Sequence, residues 1–168
     1  MARSGVRIVL SGPAPLLALA SCLLSSPVWA QDLKLSGPDG QTAALTPADI
    51  AALPHVKLTV TIEGKTTIYD GVPLTQLLQR VGAPTGKALR GPALRDVVLV
   101  TGRDGYAAAL ALAETDPGFR KDQILLADRA DGQPLAETAR PYRLVVEADQ
   151  RAARCVRMVT SIAVKAAP

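Results

Sequence analysis

Apolar and polar positions in this chain either alternate or recur at helical spacing, and the pattern divides it into elements. Val56 to Ile62 reads V-K-L-T-V-T-I, apolar at every second position, as a half-buried strand does. Glu63-Gly64-Lys65 forms a hairpin tip, and Thr66 to Tyr69 returns as the partner strand. Leu74, Leu77, Leu78 and Val81 share one face of a helix from Leu74 to Val81, which Gly82 ends. Val97 to Thr101 is continuously apolar and is expected to be a central strand. Arg103-Asp104-Gly105 turns it into Tyr106 to Leu110, and Ala111 to Thr115 reads as a helical turn broken by Asp116-Pro117-Gly118.

The stretch from Ile124 to Val164 organises the rest. It reads as an apolar strand (Ile124 to Ala127), an Asp131-Gly132 turn, a β-branched strand (Arg143 to Val146), a charged corner and an alternating strand (Met158 to Val164). In the last strand Met158, Thr160, Ile162 and Val164 are expected on one face and Arg157, Ser161 and Lys165 on the other. Val60, Val98, Leu144 and Ile162 are expected to be buried. Towards the start, Leu33 to Ser36 is a short strand before the turn Gly37-Pro38-Asp39-Gly40. Thr46 caps a short helix that carries Pro47 at its first position and Asp49 in its first turn. Gly82 to Pro92 is a Gly/Pro/Ala loop. Strands followed by short helices, without βαβ alternation, predict a single α+β domain with a mostly antiparallel or mixed sheet.

Composition, 48% hydrophobic and 20% charged, fits an ordinary globular protein. The first thirty residues differ. Arg3 and Arg7 precede an apolar run from Leu16 to Leu24, and Val28-Trp29-Ala30 offers a cleavage site, which together predict an export signal over residues 1–30 and a mature domain over 31–168. Leu19-Ala20-Ser21-Cys22 offers a second reading, a lipoprotein box that would anchor the protein through Cys22. Cleavage at Ala30 predicts a soluble periplasmic or secreted protein with no transmembrane span. It leaves 17 basic against 15 acidic side chains, so the formal charge falls from +4 to +2, and no basic tract argues for nucleic acid. Cys155 is then the sole cysteine, and no internal disulfide forms.

Few residues carry chemistry. His55 follows Leu53-Pro54 with no partners at metal-ligand spacing, which predicts a loop or surface residue and no metal site. Gly102-Arg103-Asp104-Gly105 is too short for a phosphate loop. Cys155, placed in a strand beside Arg157, is either a thiol activated by cations or a small apolar filler, the second being the expectation. Arg140, Arg143, Arg151, Arg154 and Arg157 crowd two corners against Glu147 and Asp149. They either pair with these acids and Asp104 at the surface or bind an anion. Asp104-Gly105-Tyr106 is a turn with a packed tyrosine or part of a cleft floor.

An ordered set of motifs adds to this reading. Leu125-Leu126-Ala127, Gly132-Gln133-Pro134-Leu135, Pro141 to Val146, Ala153 to Arg157 and Ile162-Ala163-Val164 resemble the molybdopterin-binding domain of the sulfite oxidase family. Leu53-Pro54, Gly71-Val72-Pro73-Leu74 and Asp104-Gly105-Tyr106 extend the resemblance upstream, to roughly residues 45 to 164. It implies that family's fold and an exported molybdopterin-dependent oxidoreductase. It also implies that Arg143, Arg154, Cys155, Val156 and Arg157 face the pterin and its phosphate, with Asp104 and Tyr106 at the cleft. The sequence departs from the family where the metal-ligating cysteine belongs, at the end of Leu58 to Gly64, which holds no sulfur. The hairpin after it is tight where full-size members insert long segments, and the signal has no twin-arginine pair for export of a loaded, folded protein. These departures predict that no molybdenum centre is bound. The competing reading is a cofactor-free module whose arginine-lined cleft takes a small anion, a pterin-like ligand or a periplasmic partner protein.

Overall fold

The computed structural model describes residues 31–166, so the export signal expected over residues 1–30 lies outside the described residues. The chain opens with strands β1 (Leu33–Ser36) and β2 (Thr42–Leu45), an antiparallel hairpin. The sequence pattern shows only β1, because Thr42-Ala43-Ala44-Leu45 alternates too weakly to read as a strand. Helix α1 (Pro47–Ala51) starts where Thr46 predicts, through a capping box: Asp49 N–H donates to Thr46 Oγ1, and Thr46 N–H to Asp49 Oδ2. Strands β3 (Val56–Ile62) and β4 (Lys65–Pro73) form a hairpin whose register ends at Ile62 and Lys65. Its tip is two residues, Glu63 and Gly64, with φ of 52° and 77°, the left-handed pair such a tight loop demands. Helix α2 (Leu74–Gln79) ends two residues earlier than expected, but Leu74, Leu77, Leu78 and Val81 are all buried.

Strands β5 (Val97–Gly102), β6 (Ala107–Ala111), β7 (Ile124–Ala130), β8 (Gln133–Pro134), β9 (Arg143–Val146) and β10 (Val159–Lys165) complete the chain. They form two sheets. One runs β2-β1-β10-β5-β6; the other runs β3-β4-β7-β8, with β9 also on β7. Among the described residues β1 pairs with β10 in parallel and the other pairs are antiparallel. The expected α+β class with a mostly antiparallel, mixed arrangement is therefore what the chain adopts. The centre differs: β10 is the middle strand of its sheet, and β5 lies between it and β6. Val98 and Val100 point into the core while Val97, Leu99 and Thr101 are half-buried, so the apolar run of β5 does not mark burial on both faces.

That role belongs to β7 and β9. Ile124, Leu126, Leu144 and Val146 enter a large core with Leu33, Leu35, Val98, Ile162 and the α2 face, while Leu125, Ala127 and Val145 enter a second core with Leu58, Val60 and Tyr69. Side-chain alternation thus feeds two cores, which is why both strands read as unbroken apolar runs. Val60, Val98, Leu144 and Ile162 are all buried, as expected.

The entry to β10 departs from the expected alternation. Met158 has φ 51° and lies before the strand, and the register against β5 shifts between Val159 and Ser161. The inserted residue puts Val159, not Met158, on the buried face with Ile162 and Val164. Cys155 is also outside a strand: it follows a 3-10 turn over Ala152–Arg154.

A close approach fixes the middle of the second sheet. A Cβ on Gly71 would stand 2.3 Å from Leu126 O and 2.5 Å from Ala127 Cα, where the β4–β7 register shifts. Gly71→Ala is therefore expected to destabilise the fold by about 1–3 kcal/mol in urea unfolding, since backbone must move to admit the methyl group. An unchanged midpoint would show that β4 and β7 are free to separate there.

Candidate functional site

Arg143 opens β9, opposite Ala127 of β7. Its neighbours Tyr142 and Leu144 point into the large core, so alternation turns Arg143 to the other side, where its guanidinium carbon lies 5.5 Å from the centre of the Tyr69 ring. Tyr69 is buried on β4 and serves as a fixed backing for the charge. Arg143 Nε is buried and has no hydrogen-bond partner.

Arg157 arrives on the bend that leads into β10 of the other sheet. Leu144 N–H donates to Val156 O at 2.8 Å and Val159 N–H to Tyr142 O at 2.9 Å, tying β9 to the segment that leads into β10. Gly102 lets this segment pass: a Cβ there would meet Arg157 O at 2.5 Å. On the far side, the β5–β6 turn supplies Asp104 and Tyr106. Tyr106 N–H donates to Asp104 Oδ1 at 3.0 Å, and Tyr106 hydroxyl donates to Ala153 O at 2.6 Å.

Two cavities meet at Arg143. One, about 400 Å³, is lined by Asp104, Tyr106, Arg143, Ala153, Cys155 and Arg157. The other, about 240 Å³, lies under the β3–β4 hairpin and is lined by Val60, Ile62, Glu63, Lys65, Tyr69 and Arg143. Ala152 borders both. Of the residues the sequence singled out, Asp104, Tyr106, Arg143, Cys155 and Arg157 come together around the first cavity. Arg154 and Val156 do not. Val156 is 1% exposed and part of the large core. Arg154 holds Asp149 with two hydrogen bonds, Nε to Oδ2 at 3.0 Å and Nη2 to Oδ1 at 2.6 Å, and reaches Glu114 Oε2 at 3.2 Å. The hydrogen-bonded Asp149 raises its pKa further, so Arg154 is a permanent brace beneath the Ala152–Arg154 turn.

Sequence reasoning missed Tyr69, Lys65 and the hairpin wall. The signal was present, since Lys65, Thr67 and Tyr69 alternate with Thr66 and Ile68 along one face of β4. His55 is partly buried, with Nδ1 on Leu53 O at 2.7 Å and Nε2 3.4 Å from Asp128. No group of three or more His, Cys, Asp or Glu able to hold a metal occurs among the described residues, and no helix there is long and apolar enough to cross a membrane.

Cys155 tests what the cleft can do chemically. Burial pushes its thiol pKa up, outweighing the Val146 backbone hydrogen bond and the Arg143 charge and side-chain hydrogen bond that work the other way. The thiol therefore stays protonated at neutral pH. Labelling of the native protein by a disulfide reagent is expected to be slow at pH 7 and to accelerate as pH rises past the ordinary thiol range or once the chain unfolds. Rapid labelling at pH 7 would mean that the arginine, not burial, controls this sulfur.

A family model described as the oxidoreductase molybdopterin binding domain matches residues 26–168. Among solved structures, the sulfane dehydrogenase SoxCD from Paracoccus pantotrophus is similar at 19% identity and a TM-score of 0.66, a likeness of fold. The similarity covers 82% of this chain and 38% of the other, so this chain spans well under half of that protein's length. Comparison with curated proteins gives no match.

Proposed function

The chain belongs to the oxidoreductase molybdopterin binding domain family, and we propose that in this member the cleft binds a small oxyanion or phosphate ester, without a molybdenum centre. The supporting observation is Arg143, a cation backed by the Tyr69 ring where two cavities meet. Arg157 lines the first cavity as well, so the site offers two guanidinium groups, each suited to bidentate contact with phosphate or carboxylate.

The family's cofactor fits this cleft at one end only. Arg143 and Arg157 suit the phosphate of a pterin. The metal end lacks its ligand, because β3 leads through Thr61 and Ile62 into a hairpin tip of Glu63 and Gly64. A side chain at position 64 would have to adopt φ near 77°, and the Glu63 carboxylate is a hard donor where a soft thiolate belongs. Cys155 does not replace it, since it lines the first cavity rather than the hairpin side and its buried thiol favours the proton.

Titration calorimetry with inorganic phosphate tests the reading. Arg143→Ala or Arg157→Ala is expected to weaken binding about tenfold, the loss of one charge-assisted hydrogen bond. Stoichiometric molybdenum with a dithiolene absorption band, in protein purified from its native compartment, would overturn the reading. Absence of both metal and phosphate binding would instead favour a module that recognises a partner protein.

We further propose that residues 1–30 direct export and that the mature chain begins at Gln31 in the periplasm or outside the cell, a reading supported by Val28-Trp29-Ala30. Intact mass of the exported protein is expected to match residues 31–168. A chain starting at lipid-modified Cys22 would make it a membrane-anchored lipoprotein instead.

A further inference from the structure

We infer that two copies of this chain pair through the outer edge of β3, antiparallel and about a two-fold axis at Thr59. The second sheet of each copy then continues into that of the other. This inference stands apart from the anion reading. The second sheet ends at β3, which pairs with β4 and with no other strand among the described residues. Ile62 and Lys65 close a two-residue turn as a hydrogen-bonded pair, so Val56, Leu58, Val60 and Ile62 direct their backbone groups to β4. The N–H and C=O groups of Lys57, Thr59 and Thr61 point the other way, and no described segment bonds to them.

Proteins protect such edges by keeping them short, bending them with a bulge, covering them, or placing proline and charge on them. The other edges of this domain follow that rule. Strand β8 is two residues and β2 four, β6 has the Ala152–Arg154 turn packed beside it, and the outer side of β9 is bonded to the bend before β10. Strand β3 is seven residues long, without proline or glycine, and its register is unshifted from Val56 to Ile62. Its one charge, Lys57, stands opposite Asp70 of β4. The strand also fits its own copy. With Thr59 opposite Thr59, Lys57 falls opposite Thr61, so no like charges meet. Leu58 falls opposite Val60 and Val56 opposite Ile62, on the face that covers the smaller core. Val56 and Ile62 are only half-buried at the rim of that core, and a second β3 beside them extends it. The other face offers Thr59 and Thr61, exposed β-branched residues that suit a paired strand.

Sedimentation equilibrium of the protein purified from its native compartment is expected to give twice the chain mass. Thr59→Pro removes an outward N–H and leaves the β3–β4 ladder its bonds, as proline on an edge strand does. It is expected to raise the dissociation constant about thirtyfold, the loss of two hydrogen bonds across the axis. Thr59→Lys, at an exposed position that the monomer fold tolerates, sets like charges against each other and is expected to raise it about fivefold, less at high salt. Cysteines check the register. Thr59→Cys is expected to cross-link two chains on mild oxidation, since the paired Cα atoms lie about 5.5 Å apart. Two Lys57→Cys positions stand roughly 14 Å apart and are expected to stay free. Cys155, 5% exposed, adds little background. A monomer at every concentration overturns the inference and leaves the edge to an extended segment of another protein. A dimer that neither Thr59→Lys nor Thr59→Pro weakens, or cross-linking of Lys57→Cys as ready as that of Thr59→Cys, overturns it as well.

Discussion

Two backbone hydrogen bonds hold the cleft together, from Leu144 N–H to Val156 O and from Val159 N–H to Tyr142 O. They fasten β9, which belongs to one sheet through β7, to the chain entering β10, the middle strand of the other. With both edges of β9 engaged, its side chains have two destinations. Leu144 and Val146 go to the large core; Val145 goes to the smaller one, and Arg143 is turned to that same side at its open end. The position of the charge is therefore a consequence of backbone pairing and burial, not of any ion pair. The same joint delivers Arg157, on the bend that leads into β10, so residues from both sides of the joint line one cavity.

The strands were legible wherever one physical period governed a segment. Val56 to Ile62 alternates because one face of β3 is covered and the other is not. Arg143 to Val146 reads as a strand because both of its faces are covered. Where two constraints compete, the pattern misleads. The alternation of Met158 with Thr160 is regular in the sequence, but where Arg157 O passes close over Gly102, Met158 takes positive φ and the β10 ladder gains a residue. Nothing local in the sequence announces that bulge, since its cause lies on β5. The strand at Thr42–Leu45 escaped notice for the opposite reason: it has little pattern of its own and is held by pairing with β1.

The arginines show how far residue type goes in marking a site. Arg154 and Arg157 are three positions apart, and the family resemblance assigns them the same role. The fold separates them through Asp149, five residues before Arg154, and Glu114, forty before it, which together occupy the Arg154 guanidinium. Arg140 is likewise engaged, donating from Nε to Leu135 O. Arg143 differs in that its backing is an aromatic ring, which attracts the cation but accepts no conventional hydrogen bond from Nε. Charge density in the sequence located the neighbourhood; only the distribution of acceptors distinguishes a brace from a binding group.

That distinction also bears on the proposal that this cleft takes an anion without a metal. Phosphate recognition and metal ligation make different demands. Two guanidinium groups supplied by neighbouring segments of backbone suffice for an anion, and the joint between β9 and β10 provides them as long as the sheets pack. A soft metal needs one thiolate at one place, and the place to which the family resemblance points is here a two-residue hairpin tip whose backbone conformation suits glycine. On the proposed reading, a hairpin tip of two residues offers no ligand position, while the two cores, the sheet joint and the arginines stand without it. The proposed anion site is in this sense one that the packing of the domain would supply, whereas a metal site would depend on a loop, and loops change most readily.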